Sequence, residues 1–166
     1  MLNKKINTYL SFTIGKENFA INVANVISIV EVPEITRLPK TPEFVKGLIN
    51  TRGQGVPLID PSIKFGLDPI QINANTTVII LEISVDDQLV QVGILVDAVN
   101  DVKEISQDEI LPLPKVANIG TDGFLTGLYA TGNEFIIIMD ANFVISSDEM
   151  SDLSKTLHSI KQKTEK

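Results

Sequence analysis

Residues 20–32 read AINVANVISIVEV, and residues 93–105 read GILVDAVNDVKEI. Laid over one another at an offset of 73, Ile21, Val23, Val26 and Glu31 fall on Ile94, Val96, Val99 and Glu104. A second pair of stretches repeats in the same way. Residues 47–60 (GLINTRGQGVPLID) lie over residues 127–140 (GLYATGNEFIIIMD) at an offset of 80, so that Gly47, Leu48, Thr51 and Asp60 match Gly127, Leu128, Thr131 and Asp140. Neither superposition needs an internal gap, and the difference in offset falls on the loop region at 111–123. An internal repeat of this length means one supersecondary unit used twice.

The neighbouring sequence gives the unit its contents. Residues 9–14 alternate in polarity, Gly15-Lys16-Glu17-Asn18 turns the chain, and residues 19–23 alternate again, a hairpin pattern. A third strand follows at 26–32. Pro33, Pro39 and Pro42 break the chain before a second hairpin, 45–50 and 54–59, closes around Thr51-Arg52-Gly53. A polar stretch at 68–75 reads as a linker. The order then recurs: a hairpin at 76–85 and 89–96, a strand at 99–105, a helical turn at 106–109, a loop at 111–123, and a hairpin closed by Gly132-Asn133. Five short antiparallel strands per half suit a small barrel, which limits exposed edges. Two barrels of this size have weak cores on their own and are expected to pack together over shared apolar surface. The fold class is therefore mainly β, two five-stranded antiparallel barrels around an apolar junction, with short helices and a C-terminal helix.

The composition agrees. The 166 residues include 23 Ile and 15 Val against 15 Leu, and β-branched side chains suit a pleated surface better than a helix. A net charge of −7, with no dense Lys/Arg cluster, gives no drive toward nucleic acid. The absence of Cys excludes disulfides and thiolate sites, and a single His, His158, excludes multi-His metal centres. No apolar run approaches the ~18 residues of a membrane span, and the N-terminus lacks a signal-peptide pattern. The expectation is a soluble, intracellular chain with no metal or cofactor.

Few residues invite chemistry. Asp60 and Asp140 could be an acid/base pair. Each also ends a strand before a short helix, and Pro61 follows Asp60 at the position where a helix tolerates proline, so capping is the better reading. His158 reads as a solvated residue of the C-terminal helix, which opens at Ser146-Ser147-Asp148-Glu149 with capping-box spacing and carries Met150, Leu153, Leu157 and Ile160 in a narrow stripe. Arg52, at a hairpin tip, is an exposed turn residue, a partner contact or a strut between the halves. Val26, Ile29, Val30, Val99 and Val102 lie on corresponding strands, and are either core or the lining of an apolar groove that takes a partner.

The residues that carry a family resemblance are those of 9–32, 41–53, 56–60, 63–66, 92–97 and 125–128. Their centre is the pattern P-x-F-x-x-G-x-x-N-x-R-G…V-P-x-x-D, here Pro42 to Gly53 and Val56 to Asp60. The chain resembles the CheW family of chemotaxis adaptors, a module also present in the regulatory domain of the histidine kinase CheA and in CheV-type proteins. The resemblance implies a single domain over 7–150 with approximate halves 9–67 and 76–145, a helix over 146–163, and tails at 1–6 and 164–166. It implies a non-enzymatic scaffold in the cytoplasm, monomeric alone and assembled in receptor arrays at the inner membrane. The implied partners are the CheA regulatory domain and the helical cytoplasmic tip of chemoreceptors (methyl-accepting chemotaxis proteins). Receptor binding is implied in the groove of Val26, Ile29, Val30, Val99 and Val102, coupling at Arg52 and Gly53, and kinase contact at Thr131, Gly132, Asn133 and Glu134.

The chain departs from the family at several positions. Leu is usual where Thr51 stands, aliphatics where Gln54 and Gly55 stand, and a basic residue near Ser62. An acidic residue able to partner the motif Arg is common where Ser28 stands. An adaptor of a pilus-type or other non-flagellar system, a small-ligand-binding barrel and, last, an enzyme are the competing readings.

Overall fold

The computed structural model describes residues 5–114 and 123–164, with side chains of the C-terminal helix described as far as Lys155. Most of the expected 111–123 loop, the side chains of Leu157, His158 and Ile160, and the outermost residues of both tails lie outside the described residues.

The strands are β1 (Ile6–Ile14), β2 (Glu17–Asn22), β3 (Val26–Glu31), β4 (Val45–Thr51), β5 (Gln54–Ile59), β6 (Thr77–Val85), β7 (Gln88–Val96), β8 (Ala98–Ser106), β9 (Ile110–Leu111), β10 (Leu125–Thr131) and β11 (Glu134–Met139). Helix α1 spans Pro61–Lys64 and α2 spans Ser147–Thr164. The expected hairpins all form, and the two-residue β9 is the one strand that sequence reading did not anticipate. It is too short, beside two prolines, to leave a pattern.

Two sheets result, with orders β8-β1-β2-β11-β10-β9 and β3-β6-β7-β5-β4. The sequence halves do not each supply one sheet. Each half sends its first hairpin into the other half's sheet: β1–β2 sits between β8 and β11, and β6–β7 sits between β3 and β5. The exchange obeys the repeat residue by residue. Parallel pairing of β11 with β2 sets Met139 against Ile21, and parallel pairing of β5 with β7 sets Ile59 against Ile94. A bulge places one extra residue on β3 near Ser28 and on β8 near Asn100.

The exchange makes the core common property. One cluster runs from Phe12, Ile14 and Phe19 of the first sheet to Ile49, Leu58, Ile79 and Ile94 of the second. Four of the seven Phe form a stacked column, Phe12–Phe19–Phe65–Phe124, with centroid spacings of 6.1, 5.3 and 5.3 Å. A smaller cluster, centred on Ile105, Ile136 and Ile138, includes Tyr9 and Ala20.

The repeated Gly and Asp have the same causes in both halves. At Gly47 a Cβ would collide with the Thr36 carbonyl and stand 2.9 Å from Ile35 Cγ2. At Gly127 it would stand 2.5 Å from Ile110 Cγ2 and 2.9 Å from Leu111 O. These glycines let a preceding segment bridge to β4 or β10, Thr36 to Leu48 and Leu111 to Leu128. Asp60 is fully buried. Its Oδ1 accepts from Ser62 N (3.0 Å) and Ser62 Oγ (2.5 Å), and its Oδ2 from Ile70 N (2.9 Å). Asp140 accepts from Asn142 N at 3.0 Å. Both are N-caps.

Candidate functional site

The strands carrying the expected groove residues, β3 and β8, are edges of different sheets. The crossing of hairpins puts them there, since β2 and β7 leave for the opposite sheet before β3 and β8 begin. Val26 and Val99, equivalent in the repeat, are half-buried and pack on the same core cluster. Ile29, Val30 and Val102 are exposed at 46, 36 and 59%. The core and groove readings therefore divide between them: two flank the core and three offer apolar surface. Ile27, 46% exposed on the β3 bulge, belongs with this surface and was not among the expected residues. Its alternation looked like that of any strand.

The two edges differ in character. On β8, Asp101 and Asn100 fold back onto β1: Ser11 Oγ donates to Asp101 Oδ1 (2.8 Å), and Asn100 Nδ2 to Thr13 Oγ1 (3.0 Å). Lys103 and Glu104 follow. On β3 the run is Val-Ile-Ser-Ile-Val-Glu, with Glu31 its single charge. Charged residues normally guard an unpaired edge, and β3 is nearly unguarded.

Arg52 and Gly53 form the β4–β5 turn with φ of 52° and 83°, positive at both central residues as in a type I′ turn. Asn50 Oδ1 accepts from Gly53 N at 2.8 Å. Arg52 is exposed, and among the described residues it makes no hydrogen bond or ion pair, so the strut between halves is not seen. Ser28 lies on β3, at the other end of that sheet's strand order from β4. Thr131, Gly132, Asn133 and Glu134 form the equivalent turn of β10–β11, exposed except for half-buried Thr131, with φ of 60° at Gly132. Phe135 beside them is 51% exposed, another apolar residue that strand alternation could not distinguish from core.

Helix α2 is docked by a clasp. Lys64 Nζ donates to Val144 O (2.6 Å) and Glu149 Oε1 (2.7 Å) and lies 4.5 Å from the Phe44 ring centroid. Ser146 and Glu149 close the expected capping box at 2.8 and 3.1 Å. Burial pushes the Glu149 carboxyl up. The hydrogen bonds from Lys64 and Ser146 N, with the Lys64 charge, outweigh that and hold it below its ordinary value of 4.5. Leu153 is 2% exposed and Met150 packs on the core, which settles the placement of the helix start.

An open hollow of about 590 Å³ lies beside the β1–β2 turn. Among the described residues no group of three or more His, Asp or Glu could hold a metal ion, and no helix is long and apolar enough to cross a membrane. The fold and its features define a mainly β protein whose exposed apolar residues lie largely on strand edges and beside turns.

That class has a family. The CheW-like domain family matches residues 8–149, and the chain belongs to it. It is 38% identical over 143 residues to the chemotaxis protein CheW of Klebsiella aerogenes, covering 86% of this chain and 84% of the relative. It is 31% identical over 137 residues to the chemotaxis protein CheW of Bacillus subtilis, covering 82 and 85%. The crystal structure of the scaffolding protein TtCheW from Thermoanaerobacter tengcongensis superposes with a TM-score of 0.76 at 32% identity, over 88% of this chain and 98% of that one.

Proposed function

We propose that the chain is a non-enzymatic chemotaxis adaptor that couples chemoreceptors to the histidine kinase CheA. The observation that carries this reading is the CheW-like match, which extends over both exchanged sheets and includes the β4–β5 turn motif. The receptor tip, a helical hairpin, lays its apolar face on Ile29 and Val30 of β3 and Val102 of β8, with Val26 and Val99 as floor. The CheA regulatory domain meets the β10–β11 turn at Thr131, Gly132, Asn133 and Glu134. Arg52 and Gly53 transmit between the two. The domain spans about 7–150, with α2 appended, and the protein acts in the cytoplasm on arrays at the inner membrane, which it reaches through the receptors and does not enter.

The test is reconstitution. Receptor-containing vesicles, CheA and this protein are combined, and kinase activity is read with and without attractant. Attractant-sensitive activity that depends on the protein is expected. Failure to bind either partner at low salt overturns the proposal.

A further inference from the structure

The polar stretch between α1 and β6 holds two isoleucines of opposite fate. Ile70 is 8% exposed, and its N–H donates to Oδ2 of the buried Asp60 at 2.9 Å. Ile72, two residues on, is 54% exposed. The chain around it is pinned on both sides. Ser62 Oγ donates to Asp68 O (2.9 Å), and Asn73 N donates to Thr76 Oγ1 (2.8 Å). An exposed aliphatic side chain is thus held in the wall of a surface hollow of about 560 Å³. Ile35, Leu38, Val45 and Ile70 make up the rest of its apolar lining. The Ile35 side is equally fixed, because Thr36 pairs with Leu48 at 2.8 and 2.7 Å across the close approach that Gly47 permits.

Three charged residues complete the lining: Arg37, Lys46 and Glu43. Among the described residues, none of these side chains has an ion pair or a hydrogen bond. Two cations against one carboxylate give the hollow a net charge of +1 in a chain of −7. The hollow beside the β1–β2 turn has the reverse balance, Glu17, Asp68 and Asp97 against Lys16. Ligand sites of this size are apolar hollows in which a few polar groups fix orientation. We propose that the Ile72 hollow binds a small amphipathic monoanion, an aliphatic carboxylate. Its chain lies on Ile35, Leu38 and Ile72, and its carboxylate is met by the Arg37 guanidinium and the Lys46 ammonium. Glu43 opposes a second negative charge, which disfavours a phosphate monoester. Val45 and Lys46 open β4, whereas Arg52 follows its other end, so the site is separate from the turn motif and independent of the adaptor reading.

The test uses the full chain, isotopically labelled and titrated at neutral pH with hexanoate, octanoate and octylammonium, with amide chemical shifts as the readout. Saturable octanoate shifts centred on residues 35–46 and 70–73 are expected. Two added methylenes should tighten binding about tenfold from hexanoate to octanoate. Octylammonium, with the same chain and the opposite charge, should bind about tenfold more weakly than octanoate. Arg37→Gln and Ile72→Ser should each weaken octanoate about fivefold without lowering the melting temperature, and Arg37→Lys, which keeps the charge, should stay within about threefold of wild type. Octanoate shifts that do not saturate by about 10 mM, or that saturate elsewhere on the chain, overturn the site. Equal affinity for octylammonium overturns the anion preference and with it the proposal. So does undiminished octanoate affinity in both Arg37→Gln and Ile72→Ser.

Discussion

Arg52 separates what folds the protein from what the protein does, because its effects on the two should have opposite sign. It holds φ at 52°, a left-handed conformation that costs a non-glycine residue about 1 kcal/mol. Among the described residues the side chain repays none of this with a hydrogen bond or an ion pair. Asn tolerates the left-handed region through its short polar side chain and is a preferred residue of type I′ turns. Arg52→Asn should therefore stabilise the fold by about 0.5 kcal/mol, or raise the melting temperature by about 1–2 °C for a domain of this size. Arg52→Ala keeps the backbone strain and should stay within about 0.5 kcal/mol of wild type. Both variants should lose receptor control of CheA in the reconstituted array. The assay pairs denaturant melts with kinase activity at saturating attractant. Retained control in either variant, or a loss that tracks lost stability, would show that the strained turn serves the fold alone.

Gly47→Ala should destabilise the protein by about 3 kcal/mol, measured by urea unfolding, because its Cβ meets the Thr36 carbonyl and the backbone holds a φ of 142°. A change below 1 kcal/mol would remove the close-approach account of this glycine. Ile29→Asp, on an edge strand and 46% exposed, should leave stability within about 0.5 kcal/mol and weaken receptor-tip peptide binding about tenfold. Unchanged affinity would move the receptor surface elsewhere. The Glu149 carboxyl is lower in the folded state than its ordinary 4.5, so its share of the α2 clasp is complete above that pH and is lost as pH falls through the depressed value. Amide exchange in residues 147–155 should accelerate on that descent in wild type and be fast at all pH values in Lys64→Met. Equal protection in the two proteins would assign docking of the helix to Met150 and Leu153 alone.

Much of the fold was legible because the duplicated residues have duplicated causes. Gly47 and Gly127 recur where a segment crosses too closely for a side chain, and Asp60 and Asp140 recur as caps. Turn glycines and alternation gave the hairpins. The partner of each hairpin was not legible: β2 pairs with β11 and β5 with β7 through parallel contacts far apart in the chain, and alternation says which face is apolar but not which strand lies beside it. The Lys64–Glu149 contact, 85 residues apart, left no local trace either. The candidate groove was read more evenly than it is built. Val26 and Ile29, three residues apart, would lie on opposite faces of a regular strand; the bulge near Ser28 returns them to one face, opposite Leu81 and Ile79 of β6, which alternation in sequence does not announce.

The exchange of hairpins also explains why the protein has edges to offer. A meandering β1-β2-β3 would have covered one side of β3 with β2. Because β2 crosses through Asn22–Val26 into the other sheet, β3 pairs with β6 alone, and by the same step β8 pairs with β1 alone. A shared core and two equivalent unpaired edges thus come from one topological event. Having two identical liabilities, the chain treats them differently. On β8 it sets polar and charged residues around the exposed Val102, Asn100 and Asp101 turned onto β1 and Lys103 and Glu104 beyond, and on β3 it leaves Ile27, Ile29 and Val30 exposed with Glu31 the single charge. An unguarded aliphatic edge invites indiscriminate strand pairing, and exposed apolar patches commonly mark interaction sites. Under the adaptor reading proposed above, the asymmetry between two edges of common origin marks β3 as the edge left open for a partner.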